Sequence, residues 1–98
     1  MLESFTHQTF SGHVGHTFVL HLEDGSSVET RLARVRPFGK EITPGGREAF
    51  SLIFHGPREP ALPQLTYRVE HEGIGTFDLF LVPVGPDDAL MEYEAVFT

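Results

Sequence analysis

Apolar and polar side chains alternate one for one through short runs of this chain, and Gly or Pro punctuates the runs. Successive side chains on an extended backbone point to opposite faces, so this period with frequent turns specifies half-buried β-strands. The plainest run is Met91 to Phe97, where Met91, Tyr93, Ala95 and Phe97 oppose Glu92 and Glu94. Phe18, Leu20 and Leu22 likewise alternate with Thr17, Val19 and His21. Asp24-Gly25 then turns the chain, because Gly tolerates positive φ. A second strand runs from Val28 to Arg36. Val28, Thr30 and Leu32 share one side but Val35 falls out of phase, and a β-bulge near Ala33 restores it. Pro37 is expected to end that strand. The stretch from Pro37 to Arg47 reads as a loop turning at Thr43-Pro44-Gly45-Gly46.

Three further strands follow. Ala49 to His55 places Phe50, Leu52 and Phe54 on one side and Ile53 on the other. Arg58 to Gln64 is an extended crossover, since its prolines lack the donor a ladder needs. Leu65 to His71 turns Leu65, Tyr67 and Val69 inward, and Gly73-Ile74-Gly75 makes a short reversal. Phe77 to Val84 has Leu79 and Leu81 in phase with Phe77, while Phe80 and Val82 make its other face apolar too. A strand apolar on both faces is expected to be central, or covered by the N-terminal segment. Gly85-Pro86-Asp87-Asp88 is expected to turn into the sixth strand.

Ahead of these strands, Thr6 caps a short helix that places Phe10 and Val14 on one face and stops at Gly15. Six short antiparallel strands with one brief helix give a mostly β chain, either a small barrel or a sandwich. Closure removes edge strands, which favours a barrel with the helix plugging one end. The 98 residues suit a single domain, 1–98, and nine Phe supply large apolar area without polar atoms to satisfy.

Composition narrows function. The chain holds no Cys, so disulfides and thiolate zinc sites are excluded. Fourteen acidic residues against seven basic ones give a formal net charge of −7. That balance opposes nucleic-acid binding and adsorption to anionic lipid. Arg31, Arg34 and Arg36 lie close together, and their simplest reading is the solvated side of a strand. No segment has the run of apolar residues that a membrane helix needs, and Met1 to Ser4 lacks the basic start of a signal peptide. The expected site of action is the cytoplasm, with leaderless export into a surface assembly as the other route.

Six histidines invite a metal reading, and His13, His16 and His21 are the metal candidates. Against it, His16 and His21 fall on opposite faces if they share a strand. Glu23/Asp24 and Asp87/Asp88 sit in turns, and Glu92/Glu94 share an outward strand face, so no carboxylate pair marks a catalytic pocket. No G-x-S-x-G elbow or phosphate loop occurs. The run from Phe50 to Pro57, continued by Leu62-Pro63-Gln64-Leu65-Thr66-Tyr67, is either core lining or a partner groove. Neither a catalytic residue nor a cofactor is expected.

The Phe50 to Pro57 run, Leu62-Pro63-Gln64, Thr66-Tyr67, Phe80 to Gly85 and Tyr93 to Phe97 together resemble a family of small uncharacterised bacterial proteins. Phe10, Gly15 and Phe18 fit the N-terminal pattern, so the resemblance spans nearly the whole chain. Members are often encoded beside phage-tail-collar-like fibre proteins and carry no established catalytic residues. The resemblance implies a non-enzymatic structural or protein-interaction module, partnered by a fibre protein or by its own copies. Glu92 and Glu94 are the expected interaction residues, on the reading that strand six is an edge with unpaired backbone groups. The rival is a small-ligand or metal-binding barrel built around the N-terminal histidines.

Overall fold

A computed structural model describes residues 5–42 and 48–97. The described chain is a closed antiparallel barrel of six strands with one short helix, so the barrel rather than the sandwich is formed. Helix α1 spans His7–Ser11, and the strands are β1 (Thr17–His21), β2 (Ser27–Ile42), β3 (Glu48–Pro57), β4 (Leu65–His71), β5 (Gly75–Asp87) and β6 (Leu90–Phe97). Around the barrel they run β1-β2-β3-β6-β5-β4, and β4 closes onto β1 through Val19↔Glu70, Leu20↔Val69 and His21↔Arg68. No helix among the described residues is long and apolar enough to cross a membrane.

Several turns and irregularities fall where local chemistry puts them. Gly25 has φ 89°, and Asp24 accepts hydrogen bonds from the Ser26 backbone and hydroxyl, which hold its carboxyl below the usual range. The β2–β3 register shifts between Leu32 and Arg34, so Ala33 is the bulged residue. That shift returns Val35 to the core side, where it packs against the buried cluster.

Two strands are longer than expected. Strand β2 passes Pro37, which faces Phe50, and continues to Ile42. The register breaks directly after Pro37, because a residue without an N–H leaves the ladder rather than ending the strand. The expected turn at Thr43-Pro44-Gly45-Gly46 lies outside the described residues. Strand β5 runs through Gly85 and Pro86 to Asp87. A shift between Pro83 and Gly85 absorbs the irregularity, with Gly85 at φ 114°. Strand β6 is hydrogen-bonded to β3 on one side and β5 on the other, which corrects the expectation of an open edge.

Phe10 makes the helix a plug. Thr9 Oγ1 accepts the Thr6 backbone N–H at 3.0 Å and fixes the start of α1. Phe10, fully buried, sets its ring 5.8–6.5 Å from those of Phe18, Phe50, Phe77 and Phe97. Burying one such ring contributes roughly 1.5–3 kcal/mol, so a single helical turn anchored this way needs little intrinsic helicity. Val14, expected on the same face, is exposed, because the helix ends at Ser11 and the next residues form a turn. Phe54 and Tyr93 lie in the interior as their strand phases require. Leu65 is exposed although its phase points inward, since it begins β4.

Candidate functional site

Closure of β4 onto β1 brings together residues that the chain keeps far apart. β1 and β4 are antiparallel, so the entrance of β1 meets the exit of β4. His13 and His16 lead into β1, and His71 ends β4. Their ring nitrogens converge: His16 Nδ1 lies 3.2 Å from His13 Nδ1 and 3.1 Å from His71 Nε2. The metal-ligating atoms of all three lie within 4.8 Å of one another. His21, the third metal candidate of the sequence, is elsewhere. It sits at the exit of β1, where Nε2 meets Glu70 Oε1 at 2.9 Å on the exposed surface.

His71 is the residue that local reasoning passed over. It ends a strand whose Tyr67 and Val69 point inward, and the same phase was the available signal for its burial. The Phe18 ring packs 4.5 Å from it, centroid to centroid. Its Nδ1 accepts two backbone N–H groups, from Gly73 and Ile74, each at 3.0 Å. An accepting Nδ1 carries a lone pair, so the neutral ring bears its proton on Nε2. His16 Nδ1 is then the acceptor of the His71 proton. Burial is the main cause that lowers the pKa of His71. The neighbouring His13 and His16 add to it, and Glu72 opposes it.

The same proton count weighs against a metal. A neutral histidine ligating through Nε2 must carry its proton on Nδ1, where it normally donates to an acceptor. Here that nitrogen faces two donors instead. Metal at Nε2 therefore requires the Gly73 and Ile74 bonds to break.

A second cluster surrounds Glu92. His55 Nε2 lies 2.7 Å from Glu92 Oε2, with both side chains largely buried, and Arg34 approaches the same oxygen at 3.6 Å. Asp87 stands close enough that its carboxylate, His55 and Glu92 all lie within 4.8 Å. An imidazole held by a carboxylate is a general-base arrangement. However, His55 Nδ1 is buried without a partner among the described residues, so it offers no lone pair to a molecule arriving from solvent. Glu94 stands opposite Ile53 on β3 and Val82 on β5. Glu92 and Glu94 thus lie on the wall of a closed barrel and guard no edge. Arg31, Arg34 and Arg36 are exposed on β2.

The outer wall also carries apolar side chains. Phe80 is 51% exposed, Val84 47% and Val96 52%, with Val82 half-buried between the first two along β5. Of the two expectations for strand β5, it lies between β4 and β6, and it is not covered on this side: α1 packs through Phe10 against the inner face and leaves Phe80 exposed. Of the run from Phe50 to Pro57 continued by Leu62 to Tyr67, Phe50 to Phe54, Leu62 and Tyr67 are core, whereas Pro57 and Pro63 to Thr66 are exposed.

Over residues 5–97 the chain matches the model of a domain of unknown function, DUF6916. It belongs to the DUF6916 family. The span of this DUF6916 match contains every described strand, the plugging helix and the three converging histidines. Neither a curated protein nor a solved structure matches it.

Proposed function

We propose that this protein is a non-enzymatic interaction module that docks another protein on the outer wall of β5 and β6. The observation that carries the reading is the row Phe80, Val82 and Val84, joined by Val96 on the next strand. Solvated apolar side chains gathered on neighbouring strands gain free energy when a partner covers them. Glu94, directly opposite Val82, supplies an acidic rim that selects a basic counterpart. Glu92 contributes less to recognition, because His55 and Arg34 already engage it. The partner is a second copy or a tail-collar-like fibre protein of a bacterial surface assembly, in keeping with the resemblance noted in the sequence.

The test pairs Phe80→Ser with Val96→Ser. Both side chains are half-exposed, so the melting temperature should hold. Self-association by sedimentation, or capture of a fibre subunit from the host, should be lost. Undiminished association in the folded double variant would refute this wall as the docking face. The rival reading, a metal-binding barrel, rests on the convergence of His13, His16 and His71. It predicts that micromolar zinc raises the melting temperature of a monomer by mass action.

A further inference from the structure

We propose that His13, His16 and His71 form a proton-sensitive latch that clamps the β4–β5 turn in the neutral state and releases it when the cluster takes up a proton. The argument rests on counting protons at converging nitrogens. His71 Nε2–H donates to His16 Nδ1, and His13 Nδ1 approaches that same atom. Between the three rings, the His16 Nδ1 lone pair therefore accepts the His71 proton, and His13 can bond to that atom only as a donor.

A proton added at His16 Nδ1 removes the acceptor of the His71 proton and sets N–H against N–H. A proton added at His71 Nδ1 faces the Gly73 and Ile74 N–H groups and breaks both bonds. A proton added at His13 leaves the bonds intact but places a cation against two neighbouring rings whose centroids lie 5.0 and 4.4 Å away. The first two routes undo the cluster outright. Surrounding charges do little to prevent this. Glu72 in the turn favours the cation, and Glu70 is engaged with His21 across β4 and β1. Arg31 on β2 stands opposite Thr17, and β5 begins beside the cluster with uncharged Gly75 and Thr76.

What moves follows from what is otherwise held. Gly15 N–H donates to the Leu32 carbonyl at 2.8 Å, and Leu32 N–H donates to the His16 carbonyl at 3.1 Å. The backbone leading into β1 is thus pinned to β2 whatever the side chains do. The Gly73 and Ile74 amides, in contrast, are bonded to the His71 ring itself. Opening therefore loosens residues 72–74 and uncovers Ile74, which packs against the core.

Amide hydrogen exchange on the full-length protein, corrected for the intrinsic pH dependence, tests this. Between pH 7.5 and pH 5 the protection of Gly73 and Ile74 should fall by at least about tenfold. Core amides such as Leu52 should keep theirs. In His71→Asn, whose side-chain oxygen accepts both amides without titrating, Gly73 and Ile74 should stay protected and change little on acidification. Ring nitrogen chemical shifts of the wild type should report the Nε2–H tautomer of His71 at pH 7.5, and this reading stands even if the variant fails to fold. Unchanged protection of Gly73 and Ile74 down to pH 5, or an Nδ1–H tautomer at His71, would overturn the latch.

Discussion

The Leu62 backbone N–H donates to the Tyr93 hydroxyl at 2.9 Å, and both residues are buried. This bond ties the proline-rich crossover between β3 and β4 to the interior of β6. The crossover has no ladder partners, so its buried donor depends on a side chain. Tyr93→Phe keeps the ring and orphans the donor. It should cost about 1–3 kcal/mol in urea unfolding, the desolvation penalty of an unsatisfied buried group. A neutral result would mean that water reaches Leu62.

Phe10 and Val14 separate the plug from its appearance in sequence. Phe10→Ala removes the ring that meets Phe18, Phe50, Phe77 and Phe97, and should cost roughly 3–5 kcal/mol. Val14→Ala, at an exposed turn position, should change stability by less than about 0.5 kcal/mol. Equal effects in denaturant titrations would place the helix outside the barrel end.

Glu92 and Glu94 alternate with Tyr93 and look equivalent in sequence, yet only Glu92 holds a largely buried histidine. Glu92→Ala should destabilise by about 1–3 kcal/mol because His55 loses its acceptor. Glu94→Ala should cost less than about 0.5 kcal/mol. The amides from Met91 to Phe97 should exchange slowly without alternation, since β3 and β5 pair with both sides of the strand. Alternating fast and slow amides would contradict barrel closure.

His71 gives a pH dependence whose sign can be worked out. Its folded-state pKa is lowered, so below the ordinary imidazole value of about 6.5 the unfolded chain binds more protons than the folded one. The contribution is fully present above that value. It is lost as pH falls toward the folded pKa, and then levels off. The melting temperature should therefore decline between about pH 7 and pH 5, ahead of carboxylate titration. His71→Asn should flatten this decline, because an Asn oxygen accepts the Gly73 and Ile74 amides without titrating. A slope unchanged in His71→Asn would assign the effect to another group.

The strands, the Ala33 bulge, the Asp24-Gly25 turn and the burial of Phe54 and Tyr93 were legible in the sequence. Each follows from side-chain period, turn chemistry or phase within a few neighbouring residues, and the backbone's alternation transmits that information locally. Register breaks at prolines were legible only as interruptions, since a missing donor ends a ladder contact but a strand continues when neighbouring pairs hold it, as beyond Pro37. Tertiary structure alone decided the rest. Which of two apolar faces of β5 turned outward depended on where Phe10 found its pocket, and that pocket is assembled from four separate strands. Barrel closure gave β6 two neighbours and brought His71 to His16, replacing the nearer His21. The period of a strand is set by adjacent residues, whereas the company a side chain keeps is set by the pairing that buries the most apolar surface and leaves no edge unpaired.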